Sequence, residues 1–162
     1  MREQKIELNY QIAENISELS EQERKLIILA REAAMRAYAP YSSFRVGAAL
    51  LLEDGEMLSG NNQENAAYPS GICAERVALF YSSSKHPGKA VSKIAIYSPD
   101  TPGNTLIPVT PCGSCRQVMA EYEGMQDNKI EILLASVNGE VWKFEGVETF
   151  LPFMFNSRSL RA

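Results

Sequence analysis

Apolar residues recur with a helical period from Glu21 to about Tyr38, where Leu26, Ile27, Leu29, Ala30, Ala33, Ala34 and Ala37 share one face. Ser20 stands before that run with Glu23 three residues on, a pairing that satisfies free N–H groups at a helix start, and Pro40 is expected to stop the helix. Val46 to Leu52 is an apolar run of strand length, and Asp54-Gly55 turns it toward a second strand near Met57. Gly60 to Gly71 is loop-like, rich in Asn, Ala, Gly and Pro. A second helix is expected from Cys73 to about Ser83, with Val77, Ala78, Phe80 and Tyr81 apolar.

Further on, Lys93 to Ser98 reads as a buried strand and Pro99 to Pro111 as a loop. A third helix is expected from Cys112 to about Tyr122. Ile130 to Ser136 and Val141 to Phe144 are strands hinged on Asn138-Gly139, with a short helix after Gly146. The order β-β-α-β-α-β-β behind an N-terminal helix predicts an α/β fold, a mixed five-stranded sheet with helices packed on it. Residues 21–162 are expected to form a single domain. Residues 1–20 are an extension in which Ile6, Leu8, Tyr10 and Ile12 alternate with polar residues, a pattern that fits an added edge strand and equally a frayed tail.

Composition narrows the choice of function. With 45% hydrophobic and 22% charged residues over 162 positions, the chain is an ordinary globular protein able to bury a core. No apolar run is long enough to span a bilayer, so no membrane partner is expected. Met1-Arg2-Glu3-Gln4-Lys5 is charged with no apolar stretch behind it, which argues against a secretory signal and for a cytoplasmic location. The net charge is −4, and the 16 Lys and Arg are scattered, with no cluster denser than Arg24-Lys25. A nucleic-acid partner, which needs a basic patch for its phosphates, is therefore disfavoured, and a small uncharged substrate is favoured.

Three cysteines, an odd number, point away from a disulfide framework and toward metal or catalytic use. They stand as Cys73-Ala74-Glu75 and Pro111-Cys112-Gly113-Ser114-Cys115. Both clusters fall at expected helix starts, where exposed N–H groups favour thiolate. Cys112 and Cys115, three apart, face one direction, and Cys73 supplies a third corner for one Zn²⁺. Three thiolates leave the metal site with a formal charge of −1. Arg76, one turn from Cys73, is placed to hydrogen-bond cysteine sulfur and draw that charge away; the plainer reading is an exposed helix arginine. A closed four-ligand site would need His86, which lies roughly 18 Å off at about 1.5 Å per residue, in a Lys85-His86-Pro87-Gly88 turn expected to be solvent-exposed. Three protein ligands suit catalytic zinc, and Glu75 is then the proton shuttle between water, ring nitrogen and leaving amine, a role unlike the dipole partner that a first-turn glutamate usually is.

These residues resemble the small, homotetrameric type of cytidine deaminase over about Ala39 to Phe155. The shared motifs are Tyr41-Ser42-Ser43-Phe44-Arg45-Val46-Gly47-Ala48-Ala49, Asn62-Gln63-Glu64-Asn65-Ala66-Ala67-Tyr68, Cys73-Ala74-Glu75-Arg76 and Pro111-Cys112-Gly113-Ser114-Cys115-Arg116-Gln117, with Leu151-Pro152-Phe153-Met154-Phe155 near the end. The resemblance implies a three-layer α-β-α arrangement with helices on both faces of the sheet. It implies one zinc per chain on Cys73, Cys112 and Cys115, Glu75 as proton shuttle, Asn62 and Glu64 on the ribose hydroxyls, Phe44 over the pyrimidine, and the Ala74 main chain on the base. It also implies a homotetramer that deaminates cytidine and 2′-deoxycytidine in pyrimidine salvage. Gln63 replaces a usual aliphatic residue and Asn61 a usual Cys or Thr, both beside the ribose contacts. Three rivals stand against this: a deaminase of an unusual aminonucleoside such as blasticidin S, a polynucleotide-editing deaminase disfavoured by the acidity, and a non-catalytic zinc-stabilised module that leaves Glu75 without a role.

Overall fold

The computed structural model describes residues 1–100 and 107–160; the loop expected over 99–111 lies in part outside them. Its core is a sheet of six strands, one more than the sequence pattern gives: β1 (Gln11–Ala13), β2 (Gly47–Leu52), β3 (Met57–Asn61), β4 (Val91–Tyr97), β5 (Glu131–Ala135) and β6 (Val141–Glu145). The order across the sheet is β1-β6-β5-β4-β2-β3. The sixth strand comes from the N-terminal extension, whose residues 11–13 pair antiparallel with the outer edge of β6. Only β4 and β5 run parallel, and every other pairing is antiparallel. The sheet is therefore mixed.

Helices α1 (Glu21–Met35), α2 (Ala74–Lys85) and α3 (Gly113–Gly124) cover it. Alternation along β2 sorts the two faces: Ala49 and Leu51 pack with Leu26, Ile27 and Ala30 of α1, whereas Ala48, Leu50 and Leu52 pack with Ala78, Leu79 and Met119 of α2 and α3. All six residues of β2 are buried, as befits a strand covered on both sides. This is the three-layer α-β-α arrangement.

Two glycines let the helices approach closely. A Cβ on Gly47 would lie 2.0 Å from the Ala30 carbonyl oxygen in α1, and one on Gly60 would lie 2.6 Å from the Ala78 nitrogen in α2. Neither position admits a side chain without moving a helix.

The capping box at Ser20 forms as expected: Glu23 N–H reaches the Ser20 hydroxyl, and the Glu23 carboxylate takes the Ser20 N–H at 2.8 Å. Pro40 does not stop α1. The helix ends at Met35 with Arg36 as cap, because Tyr38 leaves to exchange backbone hydrogen bonds with Asn62 and Glu64. A single turn of 3₁₀ helix, Val147–Thr149, stands where a short helix is expected after Gly146. His86 is half-buried, its Nε2 3.0 Å from Glu56 Oε1, and so is not the solvent-exposed turn residue the sequence predicts; the strand-turn carboxylate folds over it.

Candidate metal centre and substrate cleft

Cys73 and Cys112 are the N-cap residues of α2 and α3, both in extended conformation, and neither spends its side chain on capping. That leaves each sulfur free to face outward from its helix start. In both helices the third residue of the first turn lies against the cap: Cys115 Sγ is 3.5 Å from Cys112 Sγ, and an Arg76 guanidinium nitrogen is 3.5 Å from Cys73 Sγ. The same local geometry thus pairs thiol with thiol in α3 and thiol with cation in α2.

The two helix starts meet, bringing Cys73 Sγ to 3.8 Å from Cys112 Sγ. All three sulfurs lie within 4.8 Å of one another, and among the described residues this is the one cluster of metal-ligating side chains. Tetrahedral sulfurs at about 2.3 Å from zinc sit about 3.8 Å apart, so the spacing fits the ion. The Cys73 thiol is drawn down to about 5, first by its hydrogen bond to Cys115 and then by Arg76, against the opposing effect of burial. Cys115, which donates in that pair and is fully buried, is pushed up. Holding a metal there requires all three thiols to give up their protons.

Glu75 follows in the first turn of α2 and is 4% exposed. Burial raises its carboxyl, and the nearby Cys73 charge raises it further. Ala74, between them, is fully buried.

A cleft of about 610 Å³ opens beside this cluster. Cys73 and Arg76 line it from the metal side, and Asn62, Glu64, Ser42 and Tyr41 line it from the other. The loop after β3 is held there by backbone bridges: Gln63 exchanges two hydrogen bonds of 2.9 Å with Ile72, just ahead of Cys73, and its neighbours pair with Tyr38. Asn62 Oδ1 accepts the Val46 N–H at 2.7 Å, while its Nδ2 donates to the Phe44 carbonyl at 2.9 Å. Glu64 accepts the Tyr41 N–H at 2.9 Å and the Ser42 hydroxyl at 2.5 Å, and these donors, the hydroxyl foremost, hold its carboxyl below the usual range.

Of the residues singled out from sequence, Cys73, Arg76, Asn62 and Glu64 share the cleft wall, and Cys112, Cys115 and Glu75 adjoin it through the thiol cluster. Phe44 is half-buried and joins through its main chain, without its ring lining the cleft. Gln63 and Asn61 bond to each other at 2.5 Å, and Asn61 reaches on to the Ala33 carbonyl at 3.0 Å, tying the loop to α1. Ser42 and Tyr41 escaped the sequence reading as individual residues; the Ser-x-Phe spacing, which lets a serine hydroxyl meet an N–H two residues on, was the available signal.

Residues 20–129 match the cytidine and deoxycytidylate deaminase zinc-binding region, a stretch that holds all three cysteines, Glu75 and the loop after β3. The chain belongs to the cytidine and deoxycytidylate deaminase family. The cytidine deaminase of Sporosarcina psychrophila is 41% identical over 138 residues, covering 84% of this chain and 93% of that protein. That of Halalkalibacterium halodurans is 39% identical over 137 residues, covering 83% and 95%. The crystal structure of the Burkholderia pseudomallei cytidine deaminase superposes with a TM-score of 0.70 at 41% identity, covering 81% of this chain and 97% of that one. Membership in this zinc-binding deaminase family agrees with what the thiol cluster fits.

Proposed function

We propose that the protein hydrolyses cytidine and 2′-deoxycytidine to uridine and 2′-deoxyuridine plus ammonia, a step of pyrimidine salvage. The observation that carries this reading is a buried, raised-pKa Glu75 two residues from Cys73, in a three-thiol cluster that adjoins a cleft of nucleoside size lined by Asn62 and Glu64. Cys73, Cys112 and Cys115 would hold one Zn²⁺, which when bound would supply a Lewis acid that brings the pKa of water near neutrality.

The rest is done by side chains. Glu75 takes a proton from the attacking water and delivers it to N3 of the ring, then takes the second proton from the hydroxyl now on C4 and passes it to the amine, which leaves as ammonia as the C4 carbonyl forms. Its raised affinity for protons suits a group that must both accept and give them near neutral pH. Arg76, hydrogen-bonded to Cys73 Sγ, helps hold that sulfur in its thiolate form. The Ala74 main chain contacts the base, and Phe44, whose ring does not line the cleft wall, turns in to cover the pyrimidine face when substrate is seated. Asn62 and Glu64 bind the ribose hydroxyls, so the bare base leaves polar groups unmet, at about 1–3 kcal/mol each. Glu64, held ionised, also repels a 5′-phosphate.

The reading extends to a homotetramer, for which exposed aromatics such as Phe80, Tyr81 and Phe153 offer apolar contact area. It further takes residues 21–162 as one catalytic domain and the cytoplasm as its location, where three free thiols persist. Ultraviolet assay of the purified protein with cytidine, deoxycytidine, cytosine and blasticidin S tests the substrate. Rapid loss of absorbance is expected with the two nucleosides and far slower change with cytosine. Equal kcat/KM for cytosine and cytidine, or selective turnover of blasticidin S, refutes it. Metal analysis is expected to find one zinc per chain and much less in Cys112→Ala. Light scattering reads the assembly, with a fully active monomer at micromolar concentration as the contrary result.

A further inference from the structure

We propose that Ser42 is a positioning residue that joins the sugar-binding carboxylate of Glu64 to the main chain of Phe44, so that the carboxylate's orientation for the sugar and the path of the Phe44 backbone are set by one hydrogen-bonded unit. The inference rests on the nucleoside reading of the cleft. The Ser42 hydroxyl donates to Glu64 Oε1 at 2.5 Å, and its oxygen accepts the Phe44 N–H at 3.0 Å. A hydroxyl has one proton to give, and here it goes to the carboxylate.

Phe44 is gripped from its other side as well. Its carbonyl accepts from Asn62 Nδ2 at 2.9 Å. The Phe44 backbone is thus tied at N–H to Glu64, through Ser42, and at C=O to Asn62, the two residues assigned to the ribose. Between Ser42 and Phe44, Ser43 has φ +58°, a left-handed conformation that a non-glycine residue holds only when its neighbours fix it. The Ser42–Phe44 bond spans that residue.

The carboxylate is arranged to match. Glu64 Oε2 takes the Tyr41 and Ser42 N–H groups at 2.9 and 3.3 Å. Oε1 takes the Ser42 hydroxyl, and a carboxylate oxygen has room for a second donor, such as a sugar hydroxyl. Ser42 therefore fixes the rotation of the carboxylate while leaving it able to bind.

Steady-state kinetics on zinc-loaded Ser42→Ala, Ser42→Thr, Glu64→Ala and the Ser42→Ala/Glu64→Ala pair, with cytidine and cytosine, decide the matter. Ser42→Ala is expected to raise KM for cytidine about 10–100-fold, the effect of two hydrogen bonds with one on a charged acceptor, with kcat within about threefold. Cytosine is expected to lose less, and Ser42→Thr, which keeps the hydroxyl, to restore cytidine binding. In the Glu64→Ala background the Ser42 change is expected to add less than about threefold, since its main partner is already gone. An unchanged KM in Ser42→Ala, equal losses for cytidine and cytosine, or full additivity with Glu64→Ala overturns the proposal. Should Ser42→Ala fail to fold, Ser42→Cys, with a weak S–H donor at nearly the same volume, must show the KM rise, and a normal KM there overturns it. Failure of the unsubstituted protein to deaminate cytidine would instead remove the nucleoside reading, and that outcome is read separately.

Discussion

Glu23 and Glu75 make a natural experiment inside one fold. Each stands in the first turn of a helix, each is 4% exposed, and the two lie on opposite faces of the sheet. Their carboxyls move in opposite directions. Burial pushes Glu23 up, but a hydrogen bond from Lys143 at 2.7 Å, the Ser20 hydroxyl and the Ser20 N–H outweigh it and hold the carboxyl far below its ordinary range. Lys93 adds a second ammonium at 3.3 Å and pairs in turn with Glu131 at 2.7 Å. Glu75 is set more deeply away from solvent and, among the described residues, has no ammonium beside it; burial, and then the nearby Cys73 charge, raise its carboxyl. The lesson is that helix position and surface exposure alone do not set a carboxyl's charge state: cations facing Glu23 outweigh its burial, whereas Glu75 has no such partner among the described residues and its burial prevails.

The largest expected effect separates the two most sharply. Glu75→Gln is expected to keep zinc and fold and to lose about 10²–10⁴-fold in kcat, as for removal of a general acid–base. Metal analysis and turnover on the same sample check this, and near-normal kcat would sink the assignment. Glu23→Gln should do the reverse. With the anion gone, Lys93 and Lys143 retain, among the described residues, only Glu131 as an ion-pair partner, at 2.7 and 3.8 Å, and a loss of about 1–3 kcal/mol in unfolding free energy is expected with kcat within twofold. Urea denaturation measures it, and a catalytic defect without a stability change would erase the contrast.

The smallest effect is in pH. Glu23 titrates in the folded state below its ordinary value of 4.5. Its anionic contribution is therefore complete above about pH 4.5 and is withdrawn as the pH falls further. Glu23→Gln is expected to show a shallower loss of stability between about pH 5 and 3 than the unsubstituted protein. Parallel acid curves would mean that other carboxylates govern acid unfolding.

How far the sequence foretells these features depends on whether their causes are local. The α1 start was legible because Ser20 and Glu23 are three residues apart and satisfy each other within one turn. The metal centre was legible because both cysteine pairs of contacts, Cys112 with Cys115 and Cys73 with Arg76, repeat the cap-to-third-residue spacing. The Glu23 network was not, since Lys93 and Lys143 come from β4 and β6 and meet only across the folded sheet. The end of α1 was missed for the same reason: Tyr38 obeys the distant loop after β3, where the chain signal pointed to Pro40. His86 followed a turn motif, yet Glu56 from another turn closes over it. In the extension, the alternation of Ile6, Leu8, Tyr10 and Ile12 was a poor guide. All four remain about half exposed, Ala13 is the buried residue, and backbone pairing at 11–13 makes the strand.

That short strand has a consequence for how the protein behaves when crowded with its own copies. Gln11, Ile12 and Ala13 sit opposite Lys143, Trp142 and Val141, and Tyr10 stacks on Phe144 at 5.0 Å. The outer edge of β6 is thereby covered along Val141–Lys143, and the rim that replaces it there is only three residues long. A neighbouring chain docking on such a rim gains too few hydrogen bonds to offset its lost freedom, so growth of the sheet from molecule to molecule stalls on that side.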